Sequence, residues 1–161
     1  MIIQDMQNPG ELSLHQSVRR MYMIASFMQT YAIQALASSD PDLAMYVSGR
    51  DGEVDRLYLH IEKQLRIILR SGQAIDSQKY MTPDMSLDLS LAGRHIERIA
   101  NHARKIAFIT ISLNKHLPAD IARMLGDALH LRIISDIIDR IGEYGANIAE
   151  IAINSTISKS V

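Results

Sequence analysis

Three pairs of side chains four residues apart carry the oxygen-rich chemistry of this sequence: Asp51 with Asp55, Glu97 with Asn101, and Asp139 with Glu143. Residues at i and i+4 share one face of a helix, with Cβ atoms about 6 Å apart, so two carboxylates placed that way repel unless a cation lies between them. Carboxylate and amide oxygens are hard ligands, suited to Mg²⁺, Ca²⁺, Mn²⁺ or iron. Neighbouring helices that brought the three pairs together would make a metal face. Arginine and lysine neutralise the same acids in the blander alternative, for example Arg140 against Asp136 or Glu143.

Two of the pairs lie inside a repeated segment. IERIANHARKIA runs from Ile96 to Ala107, and IDRIGEYGANIA runs from Ile138 to Ala149. Ile96/Ile138, Arg98/Arg140, Ile99/Ile141, Ile106/Ile148 and Ala107/Ala149 are identical, and His102 corresponds to Tyr144. The apolar residues of each copy fall on one helical stripe, with the acid and its i+4 partner beside it.

Other chemistry is thinly represented. Without cysteine, disulfides, thiol catalysis and Cys-based zinc sites are excluded. The E-x-x-H spacing of di-iron bundles is missing, as are a glycine-rich phosphate loop and a serine or histidine nucleophile arrangement. His95 and His102 border a basic neighbourhood of Arg94, Arg98, Arg104 and Lys105, which could meet an acidic partner surface. With 17 Lys+Arg against 18 Asp+Glu, the formal charge of -1 argues against a general nucleic-acid binder. No apolar run is long enough to insert in a membrane, and MIIQDMQNPGE has none of the marks of a secretory signal, so a soluble, cytoplasmic protein is expected.

The elements that must position these residues read as helices throughout. Pro41, Pro83 and Pro118 sit where helices should begin, capped by Asp40 and Thr82 at the first two, and Ser13 with Gln16 forms a capping box. Helices are expected at about 13–38, 41–71, 83–115 and 118–156, with a linker over 71–81. Val18, Met21, Ala25, Met28, Ala32 and Leu36 form the core stripe of the first. Leu43, Val47, Val54, Leu57, Ile61, Leu65 and Ile68 form that of the second, and Ala92, Ile96, Ile99, Ala103, Ile106, Thr110 and Leu113 that of the third. Near-heptad spacing favours long helices packed almost antiparallel in one all-α bundle. Gly49, Gly52, Gly142 and Gly145 interrupt the second and fourth helices, implying close backbone approach or a kink.

Taken together, these motifs resemble the PhoU family of phosphate-uptake regulators. The turn and acid-rich helix of ALASSDPDLAMYVSGRDGEVDRLY resemble part of the family's three-helix repeat. Both copies of the repeated segment resemble its L-E-R-I-G-D-H-A-x-x-I-A signature, and GELSLHQSVRRMY with RDGEVDRLYLHIEKQLR looks most like archaeal members. The resemblance implies a PhoU-like bundle of four long antiparallel helices, one three-helix repeat plus a closing helix, over 13–156, with a short extension over 1–12 and a frayed tail over 157–161. It also implies a non-enzymatic adaptor that binds iron or zinc through Asp51, Asp55, Glu97, Asn101, Asp139 and Glu143 and docks on a phosphate-transport ATPase or signalling partner. Asn101 stands where the family has aspartate, and one charge is lost. A homodimer is expected, because helix faces left bare by the shorter chain need covering. The alternatives are a metal-free interaction scaffold and a carboxylate-bridged metalloenzyme.

Overall fold

The computed structural model describes residues 12–71, 81–116 and 119–157, and these fold as five helices: α1 (Leu14–Ser38), α2 (Pro41–Gly49), α3 (Asp51–Ser71), α4 (Pro83–His116) and α5 (Ala119–Ile157). No strand occurs among the described residues. The extension before Leu12, most of the 71–81 linker, Pro118 and the tail beyond Ile157 lie outside them.

Local chemistry sets the boundaries. Ser13 and Gln16 close a capping box at the start of α1, each side chain accepting from the other's backbone N–H. Ser39 takes the left-handed conformation at the end of α1, and its N–H satisfies the last carbonyls. Asp40 then accepts from the N–H groups of Asp42 and Leu43, with Pro41 at the first helical position of α2. Thr82 caps α4 in the same way through the N–H of Met85.

The expected single helix over 41–71 is broken in two at Arg50. There the i→i−4 ladder gives way to tighter bonds, from Arg50 N–H to Val47 and from Glu53 N–H to Arg50. Nothing lies within 4 Å of a Cβ built on Gly49, so this glycine marks the kink and not a close contact. Gly142 and Gly145 likewise face open space. The close approach occurs instead at Gly93, where Ile61 would stand 3.4 Å from an added Cβ. Here Gly93 of α4 leaves room for the Ile61 side chain of α3.

α4 is the central element, packing against α1, α2, α3 and α5, whereas among the described residues α5 packs on α4 alone. The core runs through Met21, Ala25, Met28 and Ala32 of α1, Val54, Leu57 and Ile61 of α3, and Ile96, Ala100, Ala103 and Ile106 of α4. Small residues dominate the α1–α4 contact, so these helices lie close together. Leu12 is buried ahead of α1, its carbonyl accepting from Gln64 at 2.8 Å, with His60 Nε2 at 3.3 Å.

Candidate functional site

One polar stripe of α4, formed by Ser90, Arg94, Glu97, Asn101 and Arg104, advances three and four residues at a time and therefore stays on one face. It meets the polar edge of α3, formed by Glu62, Tyr58, Asp55 and Asp51. The Ser90 hydroxyl donates to Glu62 Oε1 at 2.7 Å, Arg94 Nε donates to the Tyr58 hydroxyl at 3.4 Å, and Arg104 Nε lies 3.1 Å from Asp51 Oδ2. The α3 numbers fall as the α4 numbers rise, so the helices run antiparallel with a polar seam along their outer margin. The side-chain amide of Asn101 donates to Glu97 Oε1 within α4.

Four of the six candidate metal ligands, Asp51, Asp55, Glu97 and Asn101, thus border this seam. Asp139 and Glu143 do not; they are exposed on α5, which packs on the other helix flank. Among the described residues no three His, Asp or Glu side chains are grouped to hold a metal ion. The donor set as placed does not fit one: the Arg104 guanidinium already stands against Asp51, and the Asn101 amide turns its N–H, not its oxygen, toward Glu97. A second cation beside Arg104 would be repelled.

Within the seam, the titration of Asp51 is displaced. Its side chain is 13% exposed, and burial raises its pKa above the ordinary 3.8; Arg104 pulls it down and Asp55 pushes it up. A carboxyl group with a raised folded pKa stabilises the fold below its unfolded pKa, and that contribution is lost as the pH rises through the folded value. Asp51→Asn is therefore expected to be at least as stable as the parent at neutral pH, with any gain within about 1 kcal/mol, and to lose that advantage in acid, where Asp51 is protonated. Urea denaturation at pH 3 and pH 7 checks this; a clear loss at pH 7 would show that Arg104 outweighs burial.

The other flank of α4 meets α5 through aromatic rings. Tyr144 is buried, with its ring centroid 5.7 Å from His95 and 5.9 Å from His102, and Arg98 lies 5.9 Å from its centre. His102 and Tyr144 are corresponding positions of the repeated segment, so the two copies pack on each other through equivalent residues. Burial lowers the pKa of both histidines, helped by Arg98 and Arg94 at His95 and by Lys105, Arg140 and Arg98 at His102. His95 Nδ1 is buried without a hydrogen-bond partner. The four basic residues expected to meet a partner are thus divided: Arg94 and Arg104 turn to α3, Arg98 lies on Tyr144, and Lys105 is exposed beside His102.

Sequence reasoning missed the Arg104–Asp51 pair and the polar zipper around it, although the i+3/i+4 register of Ser90, Arg94, Glu97, Asn101 and Arg104 was a usable signal. Paired polar side chains thus line the margin of this helical frame. Residues 18–110, from α1 into α4, match the family model described as PhoU domain, and the chain belongs to that family. No curated protein and no solved structure matches the chain. Among the described residues no helix is long and apolar enough to cross a membrane.

Proposed function

We propose that this phosphate-regulation-related helical protein acts in the cytoplasm as a non-enzymatic adaptor, restraining phosphate uptake by docking on a phosphate-transport ATPase or its signalling partner. The observation that carries this reading is the PhoU-family match across α1–α4, the helices that build the core and the polar seam. Ser90 with Glu62, Arg94 with Tyr58 and Arg104 with Asp51 pair across the seam, which suits a rigid contact surface. The contact is made by the protein's own side chains, and a metal is no part of it.

Protein purified without chelator is accordingly expected to carry no stoichiometric iron or zinc. Elemental analysis checks this; metal that survives dialysis and is lost in Asp51→Asn/Asp55→Asn protein would reinstate a metal-bridged adaptor. The adaptor reading itself is tested by capture of the intact chain with its partners from native cells grown in rich and in poor phosphate. Recovery of a transporter ATPase or phosphate-signalling protein in one condition supports it. Equal recovery, or none, in both conditions overturns it.

A further inference from the structure

The outer edge of α3 is a row of cations. Arg56, Lys63, Arg66 and Arg70, all exposed, share one helical stripe with Leu59, about four turns and about 21 Å long. Among the described residues no carboxylate stands within ion-pair distance of any of them, the ion pairs there being Arg50–Glu53 and Arg104–Asp51. The acids of α3 are turned elsewhere. Asp51 faces Arg104, Glu53 faces Arg50 and Glu62 accepts from Ser90, which leaves Asp55 as the one exposed acid of the helix, at the seam edge.

Leucines accompany the cations. Leu59, within the row, is 67% exposed, and Leu69, beside Arg70, is 57% exposed. The pairs Ser90–Glu62 and Arg94–Tyr58 set the first turns of α4 along the last turns of α3, so Leu87, 46% exposed, comes to the same end of this edge as Arg66 and Leu69. Opposite charge is kept away from it. Asp136, Asp139, Glu143 and Glu150 are exposed on α5, which packs on the other flank of α4 and, among the described residues, does not touch α3. A chain with a formal charge of -1 therefore presents a cationic side and an acidic side.

A partner for the cationic side must offer anions along its length and an apolar layer at nearly the same depth, where the leucines can leave water. Three of the four cations are arginines, whose planar fork matches phosphate oxygens. An anionic bilayer meets both demands, because headgroup phosphates take the guanidinium and ammonium heads while the long stems and the leucines lie against the acyl boundary. Its headgroups are mobile, so the uneven steps of seven, three and four residues between the cations need no matching register. An acidic protein helix would need carboxylates at those same intervals.

We infer that the α3 edge docks on the surface of an anionic lipid bilayer, with α3 lying in the plane of the headgroups and the acids of α5 turned away. The contact is peripheral, since among the described residues no helix is long and apolar enough to cross a membrane. The inference does not depend on the regulatory reading, because its test needs only the purified chain and vesicles.

Co-sedimentation of the full chain with phosphatidylglycerol/phosphatidylcholine vesicles is expected at low ionic strength, with release toward about 0.5 M salt and no binding to phosphatidylcholine alone. Lys63→Glu/Arg66→Glu should weaken binding about a hundredfold, because two attractive charges become repulsive ones. Leu59→Ser/Leu69→Ser should weaken it about tenfold while leaving its salt dependence unchanged, since only apolar contact is removed. Arg132→Glu/Arg140→Glu makes the same change of net charge on α5 and should change binding less than about threefold. Circular dichroism checks that each variant keeps parental helix content. A parent chain that ignores anionic vesicles at low salt, an equal loss in the α5 variant, or binding indifferent to the leucines would each overturn the proposal. So would soluble polyglutamate that binds the row as tightly as vesicles do, which would assign it to an acidic protein instead.

Discussion

Ile61→Ala is expected to destabilise the fold by about 2–5 kcal/mol, the range for truncating a buried branched side chain. Ile61 is fully buried on α3, and its methyl groups lie against Gly93 of α4. Because Gly93 has no side chain to move into the space, the cavity stays open, and the cost should fall in the upper part of that range. The register of the polar seam depends on the same crossing, so Ser90–Glu62 and Arg104–Asp51 are expected to loosen with it. Thermal or urea unfolding measures the loss. A change below about 1 kcal/mol would mean that α3 collapses onto α4 freely and that the glycine crossing does not set the spacing.

Tyr144→Ala should have an effect of similar size confined to α5, about 3 kcal/mol by analogy with other buried aromatic truncations. Among the described residues α5 has only α4 to pack on, and Tyr144 is the ring that His95, His102 and Arg98 surround. Hydrogen exchange should accelerate along α5 while α1, α3 and the core part of α4 stay protected, because the loss acts on one locally opening unit. Acid should imitate the substitution. Both histidines have folded pKa values below the ordinary 6.5, so their contribution is present above 6.5 and is lost as the pH falls from there through the folded values. Protection from exchange in α5, corrected for the intrinsic pH dependence of amide exchange, is expected to fall as the pH drops below about 6.5 in the parent, and to be less sensitive to pH in His95→Gln/His102→Gln protein. Uniform acceleration across all helices would contradict a separately docked α5.

Much of the frame was legible because helix periodicity and caps are local. The stripe through Met21, Ala25, Met28 and Ala32 is buried as its spacing required, as are Val54, Leu57 and Ile61, and Ser13, Asp40 and Thr82 cap the helices that follow them. The break at Arg50 was harder to see, since Gly49 and Gly52 signal a weak point without saying whether a neighbouring backbone or a kink exploits it. The glycine that does permit close approach, Gly93, sits inside an unbroken helix and looks unremarkable until Ile61 is placed against it.

The candidate site was legible only in part, because sequence spacing fixes which side chains share a face but not what stands opposite. Asp51 and Asp55 do share a helix face, as do Glu97 and Asn101, and both pairs border one seam. Arg104 reaches Asp51 from a helix far along the chain, and no local pattern announces that the cation between acids is a guanidinium. Asp139 and Glu143 repeat the motif of Glu97 and Asn101, yet α5 lacks the neighbour that α3 provides for α4. A repeated sequence therefore meets two different surroundings.

That the chain restrains phosphate uptake is tested most directly by the initial rate of labelled phosphate entry into phosphate-replete cells, with the protein deleted and then restored. The account predicts faster entry on deletion and a return to the original rate when the parent chain is supplied. An entry rate unchanged by deletion would contradict it.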